Sequence, residues 1–366
     1  MNEKRARAAP KLEESRQPHP VTPIHREHID HLGAWKTTDF ESADDYSVDL
    51  TPAMQEDIDD ALSAARQESL SLDRVERRHF ELPSFRPLFE EILYQIRDGR
   101  GFVIVRGLPV DRYSKDEIGM LFWGMGTHLG RGLSQNMKGE RLGHVRDLSP
   151  SDPKARGYTN NVELDIHTDI SEIVGLACLR SAKSGGVSQL ASALTIHNII
   201  LAERPDYLEP LYRGYFYELG GEVRPGEPNL TAHRVPFFSN VDGQISARWS
   251  RPVAEAGMAA AGEPLGADDL AILDYLHDVG HRPEVLLEFK LQPGDAYFIN
   301  NYTIMHARTE FKDYEEEERR RHMLRLWLDV PGMRPVHPQI RWRLDENQEG
   351  IHPTASATAS PALKKL

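Results

Sequence analysis

The run "RHMLRLWLDV" (321–330) constrains this chain more than any other. Read with period two, His322, Leu324, Leu326 and Leu328 share one face, and Arg321, Met323, Arg325 and Trp327 share the other. Period two marks a strand, so the element belongs to a sheet whose leucine face lies on a core. Its second face carries two guanidiniums, and a buried arginine without a counter-charge is costly. An anion must meet them there, and the planar guanidinium fork suits a carboxylate held bidentately. Arg319 and Arg320, beside "EEEE", read instead as surface charges paired with those glutamates.

The rest of the chain decides what kind of sheet this is. "TPAMQEDIDDALSAARQ" (51–67) predicts a helix with Met54, Ile58, Ala61, Leu62 and Ala65 on one face. "SFRPLFEEILYQIRDG" repeats the period with Leu88, Ile92 and Ile96, and "SKDEIGMLFWGM" opens on a capping box of Ser114 with Glu117. "GFVIVRGLP" lies between them as a strand. Further on, "LTIHNIILAERP" and "GADDLAILDYLHDVG" are helix candidates. "YRGYFYEL", "GQISARW", "VLLEFKL" and "DAYFINNY" are strand candidates bounded by turn residues. These strands do not alternate strictly with helices, which argues against a doubly wound parallel sheet. A mixed β fold with α fits better: a β-barrel or sandwich flanked by helices. Residues 1–45, rich in charge, proline and histidine, read as a mobile arm. Residues 346–366 read as a low-complexity tail, and 46–345 as a single domain.

Composition narrows the function class. A net charge of −13 argues against a nucleic-acid surface, which carries a basic stripe, but says nothing against a small-molecule pocket. The single cysteine, Cys178, excludes an intramolecular disulfide and a thiolate-rich metal site, and its apolar setting in "GLACLR" reads as a buried thiol. The N-terminal residues lack the apolar core of a signal peptide, and no run approaches ~18 apolar residues. The expectation is therefore a cytoplasmic protein that engages no membrane; assembly into a homo-oligomer stays open.

"ELDIHTDIS" (163–171) raises the metal question. With 16 histidines and 57 acidic residues in 366 positions, chance gives about 2.5 His-x-acid triplets. Four occur, so the motif alone proves nothing. His25/Glu27 and His28/Asp30 lie in the arm, and His79/Glu81 lies among charges. Only His167/Asp169 sits among apolar neighbours, where residues two apart on a strand share a face. An imidazole and a carboxylate side by side make two-thirds of the two-His, one-carboxylate triad that leaves coordination positions open for chemistry. The third ligand should be a distant histidine, and His306, at the end of "GDAYFINNYTIMHARTEF", is the candidate; a hydrogen-bonded core histidine is its other reading. His197 and His277 fall in helix-like segments and His233 in a loop.

"IHTD", "SGGVSQLASA", "GDAYFINNYTIMHARTEF", "RRHMLRLWL" and the early "GFVIVRGLP" occur in an order that resembles the Fe(II)/2-oxoglutarate-dependent dioxygenases of the TauD/TfdA, clavaminate synthase-like type. The likeness runs from about residue 50 to 345. It implies a double-stranded β-helix (jelly-roll) core flanked by helices, with Fe(II) held by His167, Asp169 and His306. It also implies 2-oxoglutarate and O2 as co-substrates. Arg325 then matches the arginine for the distal carboxylate of 2-oxoglutarate, and Arg321 the one near its chelating carboxylate. Ser188 stands where the family often has threonine. The acidic insert "YEEEE" separates His306 from both arginines.

By the same resemblance, 2-oxoglutarate is decarboxylated to succinate and CO2 while an unactivated C–H of a small polar, amino-acid-derived metabolite is hydroxylated. Desaturation or oxidative cyclisation in natural-product biosynthesis is the alternative. Chlorination is disfavoured because the halogenating relatives lack the carboxylate that Asp169 supplies. Asn160, Asn161 and Arg248 are substrate candidates, with Trp249 and Arg251 beside the last. The Gly-rich loop Arg131 to Glu140 reads either as a lid or as a surface turn. Two readings of other classes compete. A non-catalytic metal- or ligand-binding barrel leaves the arginine pair unexplained. An interaction protein on a degenerate enzyme fold would have lost a ligand, and none is missing.

Overall fold

Thr51 Oγ1 accepts from the Met54 N–H at 3.3 Å and Pro52 fills the first helical position, so α1 (Pro52–Gln67) starts where the sequence puts it. Its buried stripe is Met54, Ile58, Ala61, Leu62 and Ala65. α2 (Arg86–Arg97) buries Leu88, Phe89, Ile92 and Ile96, and α3 (Lys115–Leu129) begins on the Ser114–Glu117 capping box. This computed structural model describes residues 20–341 apart from 150–158, 222, 224, 225 and 331. Four more helices follow: α4 (Ala193–Glu203), α5 (Leu208–Arg213), α6 (Arg251–Ala260) and α7 (Ala267–Gly280).

The strands are β1 (Ser47–Asp49), β2 (Phe102–Arg106), β3 (Arg131–Gly132), β4 (Leu142–Val145), β5 (Leu164–His167), β6 (Ile173–Arg180), β7 (Ser184–Gly185) and β8 (Ser188–Ser192). After them come β9 (Phe238–Val241), β10 (Gln244–Ala247), β11 (Leu286–Phe289), β12 (Ala296–Asn300), β13 (Ile304–Arg308), β14 (Phe311–Lys312) and β15 (His322–Asp329). A large sheet runs β1-β2-β12-β6-β15-β3, with β4 also paired to β15, and a smaller one runs β11-β8-β13-β5. β9 pairs with β10 and β7 with β14. All these pairs are antiparallel except β1 with β2.

Alternation along the strands sorts the apolar residues into layers. Leu324, Leu326 and Leu328 of β15 join Val103, Val105 and Phe298 in one cluster with the stripes of α1, α2 and α3. Met323 and Trp327 point the other way, into a cluster with Ile104, Leu176, Tyr297 and, from the smaller sheet, Leu190 and Ile304. The outer side of the smaller sheet, with Ala191 and Met305, packs on residues of α4 to α7. The fold is thus mixed, with helices on the outside and two sheets sharing an inner layer. Burying each leucine of β15 contributes roughly 1.5–3 kcal/mol.

Two expectations are corrected. "YRGYFYEL" is not a strand: α5 takes its first residues, Gly214 at φ +77° turns the chain, and only isolated bridges Tyr215–Val235 and Glu218–Leu230 follow. Tyr215, Phe216 and Tyr217 are all buried, so no alternating face exists for a half-buried strand. The mobile arm also does not reach residue 45. Trp35 is buried against Phe40, Phe102 and Tyr46, and its Nε1 donates to the Arg100 carbonyl at 2.8 Å. Val21 N–H donates to Tyr212 O, and Thr22 Oγ1 accepts from Asn240 N–H. These contacts are tertiary, and no local period announces them. Residues 1–19 and the tail 346–366 lie outside the described residues.

Candidate active site

β13 brings the two distant motifs together. Its register sets His306 directly opposite His167 on β5, and their rings lie 4.2 Å apart. Asp169, just past the end of β5, has one carboxylate oxygen 3.8 Å from His167 Nε2 and the other 3.7 Å from His306 Nε2. The ring of His167 is oriented by its own strand. Its Nδ1 lies 2.9 Å from the Asp165 carbonyl, which as acceptor requires the proton on Nδ1 and leaves the Nε2 lone pair toward Asp169. Burial, then the neighbouring His306, holds the His167 imidazole down at about 4, so it is neutral near pH 7.

The loop carrying Asp169 is fixed from three sides. Asn301 Oδ1 accepts from the Asp169 N–H at 2.9 Å, and Asn301 Nδ2 donates to the carbonyls of Asp169 and Ser171. Thr168 exchanges hydrogen bonds with Trp249. Trp327 Nε1 donates to Asp169 Oδ2 at 2.8 Å, and Arg325 Nη1 does so at 3.3 Å. Burial alone would raise the Asp169 carboxyl, but Arg325, His306 and His167 outweigh it and hold it well below the usual carboxylate range. Two imidazoles and one carboxylate are a donor set that suits a divalent transition metal.

From this cluster a pocket runs between the sheets. Leu164, Val174, Leu176 and Tyr297 line it together with His167, Asp169, His306, Ser188, Arg308, Arg321 and Arg325. The arginines differ in setting. Arg325, stacked on Trp327, donates through Nε to Gln135 Oε1 at 2.9 Å and stands beside Asp169. Arg321, stacked on Phe311, is 2% exposed, yet its Nε and Nη1 have no hydrogen-bond partner among the described residues. Burial depresses its pKa, as it does that of Arg308, whose value falls to about 10 with Arg321 adding repulsion. Ser188 is the register partner of Arg308, and the turn that delivers it needs glycine. Gly185 and Gly186 have φ of +70° and +65°, and a Cβ on Gly185 would sit 2.1 Å from the Glu310 carbonyl oxygen. Ser188 and Arg321 line the same pocket, and a buried guanidinium with open donors suits a carboxylate.

The other candidates stand off this wall. Asn160 and Val162 lend their carbonyls to Arg308 Nη2, and the Asn161 carbonyl accepts from Phe311 N–H. Arg248 is buried, with its guanidinium over the Tyr302 ring and its Nε donating to the Ile340 carbonyl. Arg251 pairs with Glu255 and Asp274 at the start of α6. The loop 131–140 is anchored where it begins: β3 pairs with β15, and Gln135 bonds Arg325 through side chain and carbonyl. Only its tip, from Asn136 to Glu140, is a surface turn. The burial of Cys178 raises its thiol to about 12, as an inert core residue requires. Sequence reasoning passed over Arg308, two residues past His306 on one strand, although period two would have put both on one face. It also passed over Asn301 and Gln135, whose bonds are long-range and leave no local pattern.

The profile described as "Taurine catabolism dioxygenase TauD, TfdA family" matches residues 66–327. The chain belongs to the TauD/TfdA family. It is a non-heme Fe(II)- and 2-oxoglutarate-dependent dioxygenase, and one ligand atom from each of His167, Asp169 and His306 lies within 4.8 Å of the others. It is 31% identical to FR-33289 synthase of Streptomyces rubellomurinus over 87% of this chain and 96% of that protein. It is 30% identical to a taurine hydroxylase-like protein of Stachybotrys chartarum, over 85% and 80% of the two chains. In structure it is similar to an asparagine oxygenase in complex with Fe(II), 2S,3S-3-hydroxyasparagine and succinate: TM-score 0.63, 18% identity, 85% of this chain and 99% of that one. It is also similar to the non-heme iron oxygenase OrfP in complex with Fe and alpha-ketoglutaric acid: TM-score 0.55, 14% identity, 77% and 94% covered. Among the described residues no helix is long and apolar enough to cross a membrane.

Proposed function

We propose that this TauD/TfdA member hydroxylates an unactivated C–H bond of a small polar, amino-acid-derived metabolite, and that its two sheets form a double-stranded β-helix. One observation carries the reading: a single pocket joins the His167–Asp169–His306 cluster to a buried guanidinium, Arg321, with two N–H groups unsatisfied. In this reading His167 and His306 through Nε2, and Asp169 through its carboxylate, hold the iron. With 2-oxoglutarate, the bound iron supplies oxidative decarboxylation to succinate and CO2 and the transfer of one oxygen atom to substrate.

The residues of the chain divide the remaining work. The Asp165 carbonyl holds the proton on His167 Nδ1, and Trp327 and Arg325 fix the rotamer of Asp169. The arginines exchange the places expected of them from sequence. In this reading Arg325, 3.3 Å from Asp169, takes a carboxylate at the metal end of the pocket, the place that the family resemblance gave to Arg321. Arg321, with Ser188, takes the distal carboxylate of 2-oxoglutarate. The apolar wall of Leu164, Val174 and Leu176 keeps water from the reacting carbon. Asn160, Asn161 and Arg248 act behind the pocket, shaping it through Arg308 and Tyr302. The 3-hydroxyasparagine in the asparagine oxygenase complex and the (3S)-hydroxy-L-Arg in an OrfP complex support an amino-acid-derived substrate.

The test is O2-dependent formation of succinate from 2-oxoglutarate by the Fe(II)-loaded protein, followed by a screen for polar metabolites that accelerate it. Wild type is expected to make succinate only with O2, and His167→Ala to make none above background. Equal O2-dependent signals from the two proteins would overturn the reading.

A further inference from the structure

A second cluster of metal-ligating side chains lies outside the active site, between β5 and α7. Asp165 Oδ2 is 3.0 Å from His277 Nδ1, and Asp165 Oδ1 is 3.5 Å from His281 Nε2. The ligand atoms of all three lie within 4.8 Å of one another. The two histidines are four residues apart at the end of α7, so they share one helix face, with ring centroids 4.1 Å apart. Asp165 is kept out of the active-site pocket by an irregularity in the β5–β13 register. His306 pairs with His167 and Arg308 with Leu164, three steps on β5 against two on β13, so Asp165 does not follow the face of His167.

The orientation of the His281 ring points to an ion. Its Nδ1 is 2.8 Å from the His277 carbonyl, an acceptor, so Nδ1 donates there and Nε2 is the nitrogen turned toward Asp165. Among the described residues that Nε2 is buried without a hydrogen-bond partner, and it faces a carboxylate oxygen whose other contact is the Ile166 N–H. A ring nitrogen oriented by a backbone carbonyl through its other N–H is the usual arrangement of a metal-ligating histidine. One nitrogen of each histidine thus stands against a different oxygen of the same carboxylate, at 3.0 and 3.5 Å, close enough for one ion to reach all three side chains.

We propose that Asp165, His277 and His281 form a second metal site, which takes a Zn(II)-class divalent transition ion through two imidazoles and one carboxylate. The ion ties α7 to the strand that ends in His167, and solvent completes its coordination, since all three side chains are partly exposed. The site is independent of the iron reading, because it shares no ligand with that cluster.

Co(II) binding to the full chain by equilibrium dialysis tests it, in a His167→Ala background that disables the iron site. His167→Ala is expected to bind one more equivalent of Co(II) than His167→Ala/His281→Gln. The bound ion should give the intense visible bands of tetrahedral Co(II). In the same background Zn(II) should raise Tm, and the added His281→Gln should remove that shift. Equal Co(II) stoichiometry and equal Zn(II) shifts in the two variants would overturn the site and leave an ordinary ion pair. His281→Gln is close in size to histidine, and circular dichroism of the variant without metal checks that it folds. Wild type and His281→Gln loaded with Fe(II) should make succinate alike, so failure of the iron reading would show separately.

Discussion

The two faces of β15 carry out opposite tasks with residues that alternate along one strand. On the outer face Leu324, Leu326 and Leu328 are at most 1% exposed, and helices α1 to α3 satisfy them completely. On the inner side Arg321 and Arg325 are also buried, at 2% and 7% exposed, yet two donor atoms of Arg321 stay unsatisfied among the described residues. The first face has finished its interactions when the chain has folded. The second is left with donors that an anionic ligand would satisfy, and such a face is a liability for stability and an asset for binding.

That contrast can be broken by mutation. The largest effect is expected from Leu326→Ala, which should cost about 3 kcal/mol of unfolding free energy, read from chemical denaturation, with 2-oxoglutarate affinity unchanged in the folded fraction. A smaller and opposite pattern is expected from Arg321→Ala. It should raise the apparent KM for 2-oxoglutarate ~10- to 100-fold in the succinate assay, about 1.4–2.8 kcal/mol, and leave the stability of the ligand-free protein equal or higher. A large loss of stability with unchanged KM would make Arg321 structural and erase the contrast.

The smallest effect sharpens the outer face. Burial, then the neighbouring His144, holds His322 at about 3, against an ordinary 6.5. Below pH 6.5 the unfolded chain takes up a proton that the folded chain refuses, so the unfolded state binds more protons and stability rises with pH. The contribution is complete above pH 6.5 and is lost progressively as pH falls toward 3. His322→Gln should flatten the stability–pH curve in that window by at most about 1.4 kcal/mol per pH unit. An unchanged slope would place the acid sensitivity elsewhere.

Much of this was legible before any coordinates. The stripe of α1, the capping box of α3 and both faces of β15 follow from periodicity, which reports burial directly. The His167–Asp169–His306 set was legible because a polar pair in an apolar strand is expensive enough to demand a reason. Three kinds of feature were not. Trp35 packs by a single aromatic contact region with no repeat around it. Asn301 and Gln135 act through bonds 130 to 190 residues long in sequence. The roles of the two arginines came from the family resemblance, because a face assignment does not fix where each guanidinium ends.

Asn301 has one more consequence, which concerns entropy. It stands five residues before His306 and clasps both sides of the Asp169 peptide, so one amide couples the segments that carry two of the three proposed ligand side chains. The ordering that a metal would otherwise impose on that loop has already been done by folding. Binding of the metal should therefore leave amide hydrogen exchange around residues 167–172 almost as slow as before, and its affinity should depend little on the loop. In this protein, the rigidity of the loop that carries Asp169 is a property of the fold itself.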